Sequence, residues 1–324
     1  MVKEWDFFID ILENEEDWER QYYAISRLKN FHEKQVAQKL VPFLEHEKPT
    51  LRYITAKALG EIGDVSVGEA LIKALVEPED WVKIEIIEAI GKLNPVGAAN
   101  MLVKYLEDER DQKVKATIIK NLGRLGDENI IPFITEYLNS VDERVKANAI
   151  EALENFSNTR ILEILNPFKN DENNRIRANT ALVLVRKGED EGYNILREML
   201  SENSEWMKAS AVYALGEIGN SEALNMLIEN RLFNLDKWSI KRNIMIALAK
   251  MINNDIKEAE EFFKGYIYSN TEKEAIFAVE TISKYKLKNF LPTLSSRLSV
   301  ARGELREKIE EALDTVLDVK LEKV

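Results

Sequence analysis

Eight basic residues recur at one place in a regular pattern: Arg52, Lys83, Lys115, Lys146, Arg177, Lys208, Lys241 and Arg306. A second set, Lys113, Arg144 and Arg175, stands two residues ahead of Lys115, Lys146 and Arg177, with Lys120 and Arg124 further along. If the segments that carry them stack side by side, these cations align into a basic strip. Spaced positive groups of that kind suit an acidic peptide or a phosphate backbone better than an enclosed small substrate. Solvated helix starts neutralised by Asp142, Glu143 and Glu151 are the plain alternative.

Two further rows keep the same phase. Glu85, Thr117, Asn148, Asn179, Ser210 and Asn243 share one position, expected on an inner surface. Asparagine both donates and accepts, so this row would suit an extended peptide backbone, although small polar residues also fit a crowded curved surface. Trp81, Trp206 and Trp238 begin or adjoin the same segments, with Tyr22, Tyr53 and Tyr213 on related surfaces. Exposed, such rings anchor a partner residue or stack on a base; covered, they seal a junction. The aromatics fall mostly outside the basic strip, which favours a protein partner over nucleic acid. The candidate binding surface is therefore Trp81, Lys113, Lys115, Lys120, Arg144, Lys146, Asn148, Arg175, Arg177, Asn179, Trp206 and Tyr213.

Catalytic chemistry finds little support. There is no cysteine, which removes thiol catalysis, disulfides and thiolate metal sites. The two histidines, His32 and His46, form no metal-binding spacing, and no phosphate-binding loop, dinucleotide fingerprint or nucleophile elbow occurs. The expectation is a chain with no enzymatic activity, no cofactor and no metal. Net charge is -12, from 45 Lys and Arg against 57 Asp and Glu, so general attraction to nucleic acid or an anionic membrane is disfavoured. Residues 111–180 hold 11 acidic and 10 basic residues, against 22 and 14 in residues 1–110, so the strip lies in the least acidic part. The opening residues become acidic too soon for a signal peptide and no long apolar run occurs, so a cytoplasmic location is expected. Abundant Lys, Glu and Ile suggest a heat-adapted source.

The elements that must position these residues are helices. In LRYITAKALGEIGD, Leu51, Thr55, Ala58, Leu59 and Ile62 lie on one side of a 3.6-residue helix. The stretch recurs with reference positions Lys29, Gly60, Gly91, Gly123, Glu154, Val185, Gly216, Ala249, Ser283 and Asp314, at steps of 31 to 34 residues. Each unit carries this inner helix, a short turn and a second, outer helix. About ten helical pairs follow, expected as one elongated array over 1–324. Within it, 1–46 form an N-terminal cap and first repeat, 47–236 regular repeats, and 237–324 less regular repeats with a C-terminal cap.

The best copies, LRYITAKALGEIGD, VKIEIIEAIGKLNP, VKATIIKNLGRLGD and MKASAVYALGEIGN, resemble the HEAT repeat, in its short phycobilisome-lyase-type form. The resemblance covers nearly the whole chain and implies an all-α, right-handed superhelix whose LR or VK helices line a concave face. It also implies that each repeated cation pairs with an acid in the preceding turn, for which Asp80, Asp111 and Asp142 stand before Lys83, Lys115 and Lys146. The shared residues are packing residues and carry no lyase activity, and the His-Glu pairs of HEAT-type deoxyhypusine hydroxylases are missing. A protein-binding scaffold is therefore expected, its partner a protein or acidic peptide, with nucleic-acid binding through the strip as the alternative. A homodimer through an exposed terminal repeat stays open.

Overall fold

The computed structural model describes residues 3–126, 128–158 and 160–317. They fall into two compact units, within residues 1–165 and 166–324. In the first unit the helices are α1 (Asp6–Asn14), α2 (Trp18–Leu28), α3 (Lys34–Leu40), α4 (Pro49–Ile62), α5 (Gly68–Lys73), α6 (Asp80–Leu93), α7 (Ala98–Asp108), α8 (Gln112–Leu125), α9 (Ile131–Glu136), α10 (Glu143–Leu153) and α11 (Arg160–Leu165). The second unit holds α12 (Asn174–Arg186), α13 (Glu191–Ser201), α14 (Glu205–Ile218), α15 (Ser221–Glu229), α16 (Trp238–Asn253), α17 (Glu258–Ile267), α18 (Glu272–Tyr285), α19 (Leu291–Leu298) and α20 (Gly303–Leu317). No strand occurs among the described residues. The fold is a right-handed HEAT-like α-solenoid.

Even-numbered helices are the inner ones. On α4 the five residues whose spacing defines the repeat are all buried, together with Ile54, Ala56 and Gly60. The marker glycine has a specific task. A Cβ on Gly60 would lie 3.0 Å from Ala89 of α6, one on Gly123 would lie 2.6 Å from the Ala152 Cα of α10, and one on Gly216 would lie 2.8 Å from the Ala247 Cα of α16. Successive inner helices therefore approach closely at these glycines, each meeting a residue two before the next reference position. Gly63, Gly126 and Gly219 end their helices in the left-handed conformation, where a side chain is strained. Asp111, Asp142 and Asn173 accept from the backbone N–H groups that open α8, α10 and α12.

The outer elements are shorter than the periodicity suggests. The stretch Ile130–Leu138 contains only α9, flanked by tighter 3-10 turns at Glu128–Ile130 and Tyr137–Asn139, and Arg160–Phe168 ends in another at Asn166–Phe168. One or two turns suffice there, because these helices bury a single apolar edge, such as Ile131 and Ile134, against the inner layer.

Candidate functional site

The repeated cations fix the geometry of the inner surface. Arg52 makes a two-pronged contact with Glu77, Nε to Oε2 and Nη2 to Oε1, both 2.7 Å. Lys83 meets Glu109 at 3.1 Å, Arg177 meets Glu202 at 2.7 Å, and Lys241 meets Glu274 at 2.6 Å. The acids lie in the turn or first helical turn that opens the following repeat. That corrects the expected pairing with Asp111 and Asp142, whose carboxylates are occupied as helix caps; only Asp80 also reaches its cation, at 3.3 Å from Lys83.

The turn position that supplies these acids has a second duty. Its side chain accepts the backbone N–H two residues later: His46 Nδ1 from Lys48, Glu77 from Glu79, Glu109 from Asp111, Ser140 from Asp142 and Asp171 from Asn173, at 2.8–3.2 Å. The sequence signal was present, a polar residue two places ahead of the helix cap, but for Arg52, Lys83 and Arg177 it stands 25 or 26 residues after the cation rather than just before it, and the Lys241 partner Glu274 lies 33 residues on, inside α18.

In the α8 repeat the turn position is Ser140, which bears no charge. Lys115 consequently has no carboxylate partner among the described residues, and neither has exposed Lys113. On the adjoining α10, exposed Arg144 contacts only its own cap, Asp142, at 2.9 Å, and Lys146 reaches Glu143 at 3.9 Å. Lys120 behaves differently from Lys113 and Lys115. With Arg124 it closes on Glu88 of α6, both at 2.8 Å. Burial pushes the Glu88 carboxyl up, but the hydrogen bonds and charges of those two cations outweigh it and hold the group below the usual range.

In the second unit Arg177 is occupied by Glu198 and Glu202, while Arg175 is exposed at the start of α12. Asn148 and Asn179 are both buried, which corrects their expected place on the inner surface. Asn148 Nδ2 donates to the Ala116 carbonyl at 2.8 Å, and Asn243 repeats the contact with Ala209. This row pins one inner helix to the one before it. Asn148→Ala should lower stability by about 1 kcal/mol, since the Ala116 carbonyl oxygen lies within the α8 helix and need not be left without a donor. Urea denaturation would read the loss, and unchanged stability would assign the row to the surface after all.

The three aromatic candidates are exposed. Trp81 packs against Tyr53 with ring centroids 5.4 Å apart, Trp206 is 68% exposed, and Tyr213 lies under Lys250. His32 Nδ1 contacts the Ile62 carbonyl and His46 holds its turn, so both are structural. Among the described residues no group of three potential ligands could hold a metal, and no helix is long and apolar enough to cross a membrane.

A family model described as HEAT repeats matches residues 6–91, 99–168 and 161–249, more than two thirds of the chain. No curated protein sequence matches it. Among solved structures, the complex of CpcE and CpcF of phycocyanin lyase from Nostoc sp. PCC7120 is similar at 19% identity and a TM-score of 0.50, over 88% of this chain and 96% of that one. An engineered protein aligns at 16% identity and 0.38 over 98% and 99%, and human deoxyhypusine hydroxylase at 18% and 0.36 over 77% and 96%.

Proposed function

Because the chain belongs to the HEAT-repeat family, a class that generally acts as non-catalytic protein-binding scaffolding, we propose that it binds a partner protein across its inner helices. The carrying observation is a break in the ion-pair ladder at α8, where the turn residue bears no charge. Arg52, Lys83, Arg177 and Lys241 are each tied to the next repeat, whereas Ser140 leaves Lys115 without an acid beside exposed Lys113. In a protein of net charge -12, two cations with no carboxylate partner among the described residues are placed to receive acidic groups of a partner, with Arg144 and Lys146 on the next helix adding to the field. Trp81 in the first unit and, separately, Trp206 and Tyr213 in the second supply exposed apolar area, the kind that dominates binding energy at protein interfaces.

The test is affinity capture by the full chain and by the K113A/K115A variant, with and without nuclease, over a series of salt concentrations. Both lysines lie outside the packing and the ladder, so the variant should melt as the parent does. The reading expects a nuclease-resistant protein whose affinity falls at least about tenfold in the variant. Capture that vanishes with nuclease and declines steeply with salt would transfer the surface to nucleic acid.

A further inference from the structure

Several partly exposed aromatic rings of this protein are covered by one of its own cations, whereas among the described residues Trp81 and Trp206 are not. Lys3 lies over Trp5, Lys48 over Trp18 and Lys273 over Trp238, at 4.1–5.4 Å from the ring centroids, and Arg27 and Lys250 do the same for Tyr23 and Tyr213. Trp81 is different. It is 44% exposed, its ring lies tilted against Tyr53 at an interplanar angle of 40°, and no cation of the chain covers it among the described residues.

Its surroundings are acidic. Exposed Glu79 and Asp80 precede it, and Glu85 stands one helical turn later on the same face of α6, near enough to the Tyr53 hydroxyl of α4 for the two groups to influence each other. Burial raises the Glu85 carboxyl in spite of the Lys92 and Lys57 charges, so its negative form is incompletely matched in the free protein. A ring face with a half-buried carboxylate beside it attracts a cation through the ring quadrupole and the charge together.

We propose that the Trp81, Tyr53 and Glu85 cluster receives an arginine or lysine side chain of the partner protein, in the role that the chain's own lysines fill at Trp5, Trp18 and Trp238. The inference deepens the scaffold reading and rests on it. It also specifies the partner segment. Trp81, Lys113 and Arg144 occupy the same position on the successive inner helices α6, α8 and α10, and packed helix axes lie roughly 10 Å apart. An extended chain advances roughly 3.3 Å per residue, so a segment crossing these helices carries its basic residue about three positions from an acidic one that meets Lys113 and Lys115. The recognised segment is thus of mixed charge, basic over α4 and α6 and acidic over α8 and α10.

The experiment is selection of a random 12-residue peptide library on the full chain, followed by titration of the selected peptides against W81A, E85Q and K113A/K115A. Thermal melts of each variant check folding, and neither Trp81 nor Glu85 is fully buried. Selected peptides should carry Arg or Lys about three residues from Asp or Glu. Affinity should fall roughly tenfold in W81A and in E85Q, with the preference for the basic residue lost and that for the acidic residue kept. The K113A/K115A variant should show the reverse. Acidic peptides that ignore W81A and E85Q overturn this inference and leave the scaffold reading standing. Apolar peptides that need Trp81 but ignore Glu85 overturn it too, as does self-association of the chain abolished by W81A. Absence of any selected peptide, or indifference of all three variants, overturns both readings.

Discussion

Arg52→Ala should remove about 3 kcal/mol of stability, the largest loss expected from any single side chain on the inner surface. The guanidinium holds both carboxylate oxygens of Glu77 at 2.7 Å and also donates to the carbonyls of His46 and Glu47 at 2.8 and 3.1 Å. Glu77 has only 2% of its side chain exposed, so deleting its partner strands a charge that water cannot reach. Burial by itself pushes the Glu77 carboxyl up; the Arg52 hydrogen bonds, the Glu79 N–H and the Arg52 charge overcome that and leave it below its ordinary 4.5. A carboxyl depressed in the folded state contributes stability above its unfolded value, and that contribution disappears as pH falls through the folded value. The gap between parent and variant in urea denaturation should therefore be widest near neutrality and narrow below about pH 4.5. Replacing both partners, R52L/E77L, should come back close to the parent, because two apolar side chains leave no charge unmatched. A loss below about 1 kcal/mol at neutral pH would reduce the ladder to surface decoration.

The repeat was readable because close packing leaves a periodic imprint on residue type. Leu51, Ala58 and Leu59 must be apolar and Gly60 must be small, and both demands return with each pair of helices. Exposure at the surface was legible for Lys113 and Arg144, since long charged residues at the first turn of a helix have few ways to be covered, whereas the sequence left open whether Trp81 is exposed or seals a junction. Pairing was not. The acids that answer the cations lie one repeat onward, and an offset of 25 residues is invisible until the stacking of α4 on α6 is known. The asparagine row was misplaced for a related reason. A polar side chain at that phase points to an inner surface only if nothing within the fold satisfies it, and Asn148 and Asn243 satisfy themselves on carbonyls of the neighbouring helix. Ser140 was the decisive residue that sequence reasoning passed over, because its importance lies in the charge it lacks.

Alanine at the three marker glycines that face the backbone of the next inner helix should produce a graded series, Gly123→Ala worst, Gly216→Ala next and Gly60→Ala mildest; Gly91 instead faces the Asn121 side chain. Alanine is the better helix former by about 1 kcal/mol, so without neighbours every one of these changes would stabilise. The neighbours reverse the sign in proportion to approach. The added methyl would stand 2.6 Å from the Ala152 Cα at Gly123, 2.8 Å from the Ala247 Cα at Gly216, and 3.0 Å from Ala89 at Gly60. All three contacts reach a backbone Cα of another packed helix, which cannot rotate aside as a side chain does, so the distance sets the order. Gly123→Ala must therefore push α8 from α10, at a net cost of about 2 kcal/mol, while Gly60→Ala should come out near neutral as propensity offsets a slight displacement. Urea denaturation gives the order, and hydrogen exchange in α8 and α10 locates the opening. Equal effects at all three sites would mean that backbone propensity, and not helix approach, sets the spacing of the repeats. Because Gly123 lies on the helix that presents Lys113 and Lys115, the same displacement should shift those cations relative to Arg144 and weaken partner binding along with the fold.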